Sequence, residues 1–309
     1  MTSFGFSGPA FKIDAQCIDF PTALTEAHPP VRHLFGVGSQ ALVLRQTERP
    51  GVAIVGSRRA SPQGLIDAEG FARQISAAGL TVISGLAYGI DAAAHAGALT
   101  GAGKTIAVLG HGLNSIYPRA HEPLAKTICD SGGTLVTEYP GHVPALPHHF
   151  PQRNRIIAAL ACAVLVIEAA PKSGSLITAR HALELGIDVF VVPGSIHNPL
   201  AEGSNQLIRQ GAQLVQSPEQ LLEDLGIKAL DSSPRSRSLR DMRQQGSLAE
   251  LPVADQVLQA LSDQPTDVLA LSSQSGLSLG DVHTGLLLLE LHGLAARIPD
   301  GRWLKLGLL

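Results

Sequence analysis

The hydrophobic pattern is a series of short apolar runs, each closed by a small-residue turn and followed by a stretch of helical spacing. Val52-Ala53-Ile54-Val55 passes into Gly56-Ser57-Arg58-Arg59-Ala60-Ser61, and Thr81-Val82-Ile83 into Ser84-Gly85-Leu86-Ala87-Tyr88-Gly89-Ile90-Asp91. Val164-Leu165-Val166-Ile167-Glu168 leads, a few residues later, into Lys172-Ser173-Gly174-Ser175-Leu176-Ile177-Thr178. Such alternation predicts βα units of a parallel sheet. Strands are expected at 52–55, 81–84, 105–109, 134–137, 163–167, 188–192 and 213–215. Helices are expected at 61–78, 89–100, 119–131, 152–161, 175–186, 203–210 and 217–225. Two apolar runs before this region, 31–37 and 41–44, read as edge strands of the same sheet.

In a parallel sheet the loops at the carboxyl ends of the strands face one crevice, where ligands bind. Small residues there let backbone N–H groups and helix N-termini come close to an anion. Three such turns along one sheet point to a phosphate-bearing ligand of some length.

Beyond residue 226 the pattern changes. Residues 227–251 are poor in apolar positions and carry Ser232-Ser233-Pro234 followed by Arg235, Arg237, Arg240 and Arg243, which reads as a solvated linker. Residues 252–309 then show helical patterns at 253–262, 266–273 and 279–292 and end in two short apolar runs around Asp300-Gly301. Ser278 with Asp281 three residues on starts the third helix, Gly293 stops it, and Asp300-Gly301 makes a hairpin turn. Three helices and a hairpin outline a winged helix. The division is therefore an N-terminal extension (1–50), an α/β domain (51–226), a linker (227–251) and a winged-helix unit (252–309).

Charge decides against duplex reading by that last unit. Residues 252–309 hold three basic side chains, Arg297, Arg302 and Lys305, against six acidic ones, and 278–292 contains no Lys or Arg. Binding a duplex needs several phosphate-neutralising cations. A packing or protein-docking role fits better, as does the apolar run Leu286 to Leu289. The whole chain has a formal net charge of −3, so nucleic-acid contact must come from a local cluster. Its three cysteines are far apart, with no CxxC pattern, which suits a reducing compartment. With no signal-peptide pattern and no apolar stretch long enough for a bilayer, a cytoplasmic protein without membrane insertion is expected.

Several familiar chemistries fail on inspection. Gly101-Ala102-Gly103-Lys104-Thr105 resembles the end of a phosphate-binding ATPase loop, but Ala98 stands where its first glycine belongs and a strand follows the lysine. No turn carries the dinucleotide fingerprint, so no cofactor is expected. His111, His121, His142, His148 and His149 lack metal-ligand spacing. Ser173 and Ser175 are not in a nucleophile elbow, and no catalytic residue is expected.

Phe150-Pro151-Gln152-Arg153-Asn154-Arg155 is denser in chemistry. Pro151 suits the first helical position, which would put Arg153, Asn154 and Arg155 in the first turn, against the helix dipole. An anion or carboxylate must then compensate. One arginine is expected to pair with Glu138 or Glu168 and brace the sheet, while the pair also supplies a ligand contact. Arg58, at the mouth of the crevice, suits phosphate or stacking on a base, and Lys172 sets an ammonium beside helix N–H groups.

These residues also carry a resemblance. Gly56-Ser57-Arg58, then Ser84 to Asp91 with His95, resembles the DNA-processing protein A (DprA/Smf) family. Gly112-Leu113, Tyr117-Pro118, Glu138-Tyr139-Pro140, Phe150-Pro151 with Arg153-Asn154-Arg155, and Ser173-Gly174-Ser175 with Thr178-Ala179 continue it. Pro193-Gly194, Gly203-Ser204-Asn205, Leu207-Ile208 and Gly211-Ala212 complete a match over about residues 20 to 225. The resemblance implies an extended Rossmann-like α/β fold, with a parallel, mixed-edge sheet, and a small C-terminal winged helix. It further implies a non-enzymatic, dimeric protein that binds single-stranded DNA in natural transformation and hands it to the RecA recombinase. Carried over by motif, Gly56, Ser57, Arg58, Ser84, Gly85, Phe150, Arg153, Asn154, Arg155, Lys172, Ser173, Gly174, Ser175 and Thr178 would contact DNA. Arg58 would grip the strand, the Ser173 turn would hold phosphates and Phe150 would stack on a base. Some relatives have a lysine shortly before that phenylalanine, where this chain reads Leu146-Pro147-His148-His149. An extra N-terminal helical domain common in relatives has little room here.

The competing reading is a related Rossmann-like hydrolase of nucleotide or cytokinin-riboside phosphates. Those enzymes place a glutamate early on the phosphate-binding helix, whereas Ser173 to Arg180 has none and Glu184 lies too deep.

Overall fold

In a computed structural model, described for residues 8–44, 51–101, 103–227, 252–262, 264–291, 294–298 and 301–306, the apolar runs are strands. After β1 (Ala10–Asp14) and β2 (His33–Gly38) come β3 (Gly51–Gly56), β4 (Thr81–Ser84), β5 (Thr105–Val108) and β6 (Thr134–Thr137). Then follow β7 (Ala163–Ile167), β8 (Asp188–Val191) and β9 (Gln213–Leu214). They form one sheet in the order β1-β2-β6-β5-β4-β3-β7-β8-β9. From β6 to β9 all pairs are parallel, while β1–β2 and β2–β6 are antiparallel. Val52, Ala53, Ile54 and Val164 to Ile167 are wholly buried, as a strand covered by helices on both faces requires.

The helices are α1 (Thr22–Glu26), α2 (Gln40–Leu44), α3 (Pro62–Ala77), α4 (Ile90–Thr100), α5 (Glu122–Asp130), α6 (His149–Ala159), α7 (Ser175–Glu184), α8 (Glu202–Arg209) and α9 (Pro218–Asp224). Three readings from sequence need correction. Residues 41–44 lie in α2, not in an edge strand, because a four-residue apolar run fits one buried helical turn as well as a strand. The second edge strand is β1, whose burial alternates. Helix α6 begins at His149, so Pro151 is its third residue and Arg153 to Arg155 fall in the second turn. Proline is tolerated there because the first four N–H groups of a helix have no internal acceptor.

Order along the sheet locates the crevice. From β3 the chain steps one way through β4, β5 and β6, then returns to place β7 on the other side of β3. The loops after β3 and β7 therefore diverge at a topological switch point, where open α/β sheets bind ligands.

The loop after β3 is held by a contact from far along the chain. Glu168, in the left-handed region with φ 47°, turns its carboxylate toward the start of α3. Its Oε2 accepts from the Ser61 N–H at 2.7 Å and its Oε1 from the Ser61 hydroxyl at 2.5 Å, while Ser61 Oγ caps α3 by accepting from Gly64 N at 3.0 Å. Losing a serine N-cap costs about 1 kcal/mol, up to about 2. Ser61→Ala is expected to lower the unfolding free energy by that amount, read from the urea midpoint, with Ser61→Thr retaining most of the stability.

A second compact unit is described from residue 252 onward. It consists of α10 (Pro252–Ala260), α11 (Val268–Ser275), α12 (Leu279–Leu291) and the antiparallel hairpin β10 (Ala295–Arg297) with β11 (Trp303–Lys305). Ala254, Val257, Leu271, Val282, Leu286, Leu289 and Trp303 form its core. Leu286 and Leu289 are thus packing residues. The start signal of α12 is realised: Asp281 N donates to Ser278 Oγ at 3.2 Å, and the hydroxyl donates to the Asp281 carboxylate at 2.6 Å. The linker from residue 228 to 251, the stop at Gly293 and Asp300 lie outside the described residues.

Candidate nucleic-acid interface

A cleft of about 890 Å³ opens at the switch point. Gly56, Ser57 and Arg58 line it from the β3 loop, and Phe150, Arg153 and Asn154 from α6. Lys172, Ser173, Gly174, Ser175 and Thr178 close it from the β7 loop and α7. Eleven of the fourteen residues singled out in the sequence therefore share one concavity.

The other three are placed differently. Gly85 lies in an adjoining crevice with Arg58, Phe150 and Arg153. Ser84 is buried at the end of β4, its hydroxyl donating to Ile54 O at 2.6 Å. Arg155 turns away from the cleft into a buried bidentate pair with Glu138, at 2.8 and 2.6 Å, and its Nε donates to Pro29 O at 2.7 Å. Arg155 is the brace that the sequence assigned to one of the two arginines.

Arg153 forms the floor. One guanidinium nitrogen donates to Gly85 O at 2.6 Å and to Val108 O, which ties α6 to the carboxyl ends of β4 and β5. A Cβ on Gly85 would collide with this guanidinium, so the glycine is needed for close approach. Burial pushes Arg153 down to about 10, with Asp91 opposing the shift, so it stays charged at neutral pH.

Asp91 lines the cleft too, a residue that the sequence analysis gave no role. Its Oδ2 accepts from Gly85 N at 3.1 Å and Ala87 N at 3.3 Å. Burial raises its pKa, and the Arg153 charge and these backbone donors partly offset that. His95, deeper still, is pushed down to about 3 by burial and nearby Arg153 and so stays neutral, donating from Nδ1 to Thr105 Oγ1, whose own hydroxyl donates to Val82 O.

The three glycine/serine turns thus differ. The start of α3 is occupied by the Glu168 carboxylate, and the turn before α4 by that of Asp91. Helix α7 begins at the cleft-lining Gly174, and the Ser175 N–H at its start donates to Ser173 Oγ at 3.4 Å with no carboxylate in the turn. Asn154 Nδ2 donates to Gly174 O at 3.0 Å, and the Ser173 and Ser175 hydroxyls bond each other at 2.7 Å, which fixes the loop. The positive end of the α7 dipole beside exposed Lys172 suits an anion.

At the mouth, exposed Arg58 stands 5.6 Å from the centroid of the Phe150 ring. The site thus offers a cation, an aromatic face and a helix N-terminus within one cleft. Asp91 is its single carboxylate among the described residues, and backbone amides hold it. No group of His, Cys, Asp and Glu among the described residues is arranged to hold a metal ion, and no described helix is long and apolar enough to cross a membrane.

Comparison with known proteins agrees with this architecture. The chain is 45% identical to protein Smf of Escherichia coli over 81% of its own length and 66% of the relative's, slightly under two thirds of that protein. It is 44% identical to the DNA processing protein DprA of Streptococcus pneumoniae, over 70% of this chain and 74% of the relative. The crystal structure of that pneumococcal protein superposes with a TM-score of 0.63 over 72% of this chain and 75% of its own. The DNA processing protein A of Helicobacter pylori, studied for its single-stranded DNA binding mode, gives 0.63 at 28% identity over 72% and 98%. A DprA winged helix domain model matches residues 244–301. Residues 13–226, spanning the sheet and the cleft, match the model of DNA recombination-mediator protein A, and the chain belongs to that family.

Proposed function

We propose that this protein binds single-stranded DNA in the cleft between the β3 and β7 loops and does no chemistry on it. The observation that carries the reading is the cleft's composition: Arg58 against Phe150, and Lys172 beside the start of α7. Cations track phosphates and an aromatic face takes a base of any identity, the combination used by proteins that bind single strands without sequence preference. Aromatic residues are only 4% of the chain, so long stacked runs are not built and sequence preference is weak. The Streptococcus pneumoniae relative is a DNA processing protein, and the Helicobacter pylori relative binds single-stranded DNA. By the same likeness the role extends to protecting incoming DNA in natural transformation and loading the RecA recombinase, in the cytoplasm. A homodimer would align two clefts on one strand and raise avidity through effective concentration.

Fluorescence anisotropy with labelled oligo-dT and a matched duplex, titrated over salt, tests this. Single strands should bind more tightly, and log K should fall against log salt with a slope of about −1.4 to −2.1, as two or three phosphate contacts at roughly 0.7 each require. Equal binding of the two forms, or none, would overturn the reading. Release of phosphate or base from nucleoside monophosphates would favour the hydrolase instead.

A further inference from the structure

A second aromatic group stands at the rim of the cleft, which Tyr117 itself lines and Tyr88 extends. Tyr117 has its ring centroid 5.4 Å from Phe150, the planes inclined by 44°, and Tyr88 meets His121 edge-on at 4.9 Å. Arg58, Ala87, Tyr88, Tyr117 and Phe150 together line a crevice that continues the cleft. At about 30 Å³ it has room for one water and no base, so a planar ligand meets the outer faces of these rings.

Those faces are open and their supports are fixed. Tyr117 is 53% exposed and Tyr88 50%. The Tyr117 N–H donates to His111 Nε2 at 3.2 Å, while His111 donates from Nδ1 to Gly112 O at 2.9 Å, and burial keeps this histidine neutral. His121 donates from Nδ1 to Leu86 O at 2.9 Å, anchoring the partner of Tyr88. Arg119, exposed, lies between Tyr117 and His121 on the same loop. Held aromatic faces beside an exposed cation repeat, from the rim of the cleft outward, the chemistry found deeper within it.

We propose that single-stranded DNA leaves the cleft over the loop of Tyr117 and Arg119, and that Tyr117 and Tyr88 each stack on a base beyond the one at Phe150. This rests on the binding reading above and extends its site by a second stacking platform. The strand then has a defined exit, and affinity grows with oligonucleotide length past what the cleft alone can hold.

The test uses the full chain and oligo-dT of about 12 nucleotides, within the usual range of single-strand sites. Tyr117→Ala and Tyr88→Ala should each bind roughly ten-fold more weakly, as loss of one stacked base implies, while Tyr117→Phe binds like the wild type. Arg119→Ala should flatten the salt slope by about 0.7. Oligonucleotides carrying one 5-iodouracil at successive positions should photo-crosslink to the wild-type peptides bearing Tyr117 and Tyr88, a readout independent of how the variants fold. The proposal is overturned if both alanine variants bind as the wild type does and crosslinks reach only the Phe150 peptide. Weakened binding by Arg58→Ala in that same experiment would leave the cleft reading standing, whereas no binding by the wild type would remove both.

Discussion

Arg58→Ala is expected to bind oligo-dT about ten- to a hundred-fold more weakly than the wild type, with an unchanged unfolding midpoint. The two halves of this expectation come from one observation: the guanidinium is exposed, at the mouth of the cleft, beside an aromatic ring. An exposed side chain of this kind contributes little to folding, so its removal should stay within about 0.5 kcal/mol of neutral. In the complex it is asked to hold a phosphate, and hydrogen bonds to charged groups contribute about 1.5–3 kcal/mol, which is the fold-change stated. Arg58→Lys separates charge from shape. An ammonium keeps the attraction but loses the planar fork and the stacking surface, so intermediate affinity is expected. Anisotropy titrations of the three proteins at one salt concentration decide it, and an alanine variant of wild-type affinity would remove Arg58 from the site.

The sheet was legible because each strand is a short apolar run closed by a turn, and seven of them came out within two residues of their bounds. Gathering eleven residues into one cleft was legible for a related reason. Loops after parallel strands share an edge, so turns scattered over more than a hundred positions converge there. What was not legible is which turns are open. The turns after β3, β4 and β7 look alike in sequence, yet a carboxylate takes the Ser61 end of the first and the Gly85 N–H of the second. Asp91 was near enough to Gly85 to be noticed as a turn-closing acceptor. Glu168 stands 107 positions from Ser61 and reaches it only because β7 lies beside β3. Misplacing the start of α6 had a local cause: Pro151 was read as a first helical residue, though a third-position proline loses no internal hydrogen bond either. That shift moved Arg153 and Arg155 out of the first turn, where their charges would have opposed the helix dipole.

Arg153 and Arg155 show how neighbouring arginines divide between roles, and Arg155→Ala is expected to cost stability and not binding. Its guanidinium and the Glu138 carboxylate have side-chain exposures of 4% and 19% and are joined by two hydrogen bonds at 2.8 and 2.6 Å. Taking both charges out of water already costs the fold several kcal/mol, offset by their attraction and their bonds. Removing Arg155 leaves the mostly covered Glu138 carboxylate without its counter-charge, with Pro29 O losing its donor as well. The expected destabilisation is about 3–5 kcal/mol, read as a lower urea midpoint. Replacing both members by leucine should recover much of the loss, because no charge is then left unpaired. Single-strand affinity measured on the folded fraction should stay close to that of the wild type, since Arg155 faces Glu138 and not the cleft. A variant of normal stability and lost affinity would return Arg155 to the binding site and make the Glu138 pair incidental.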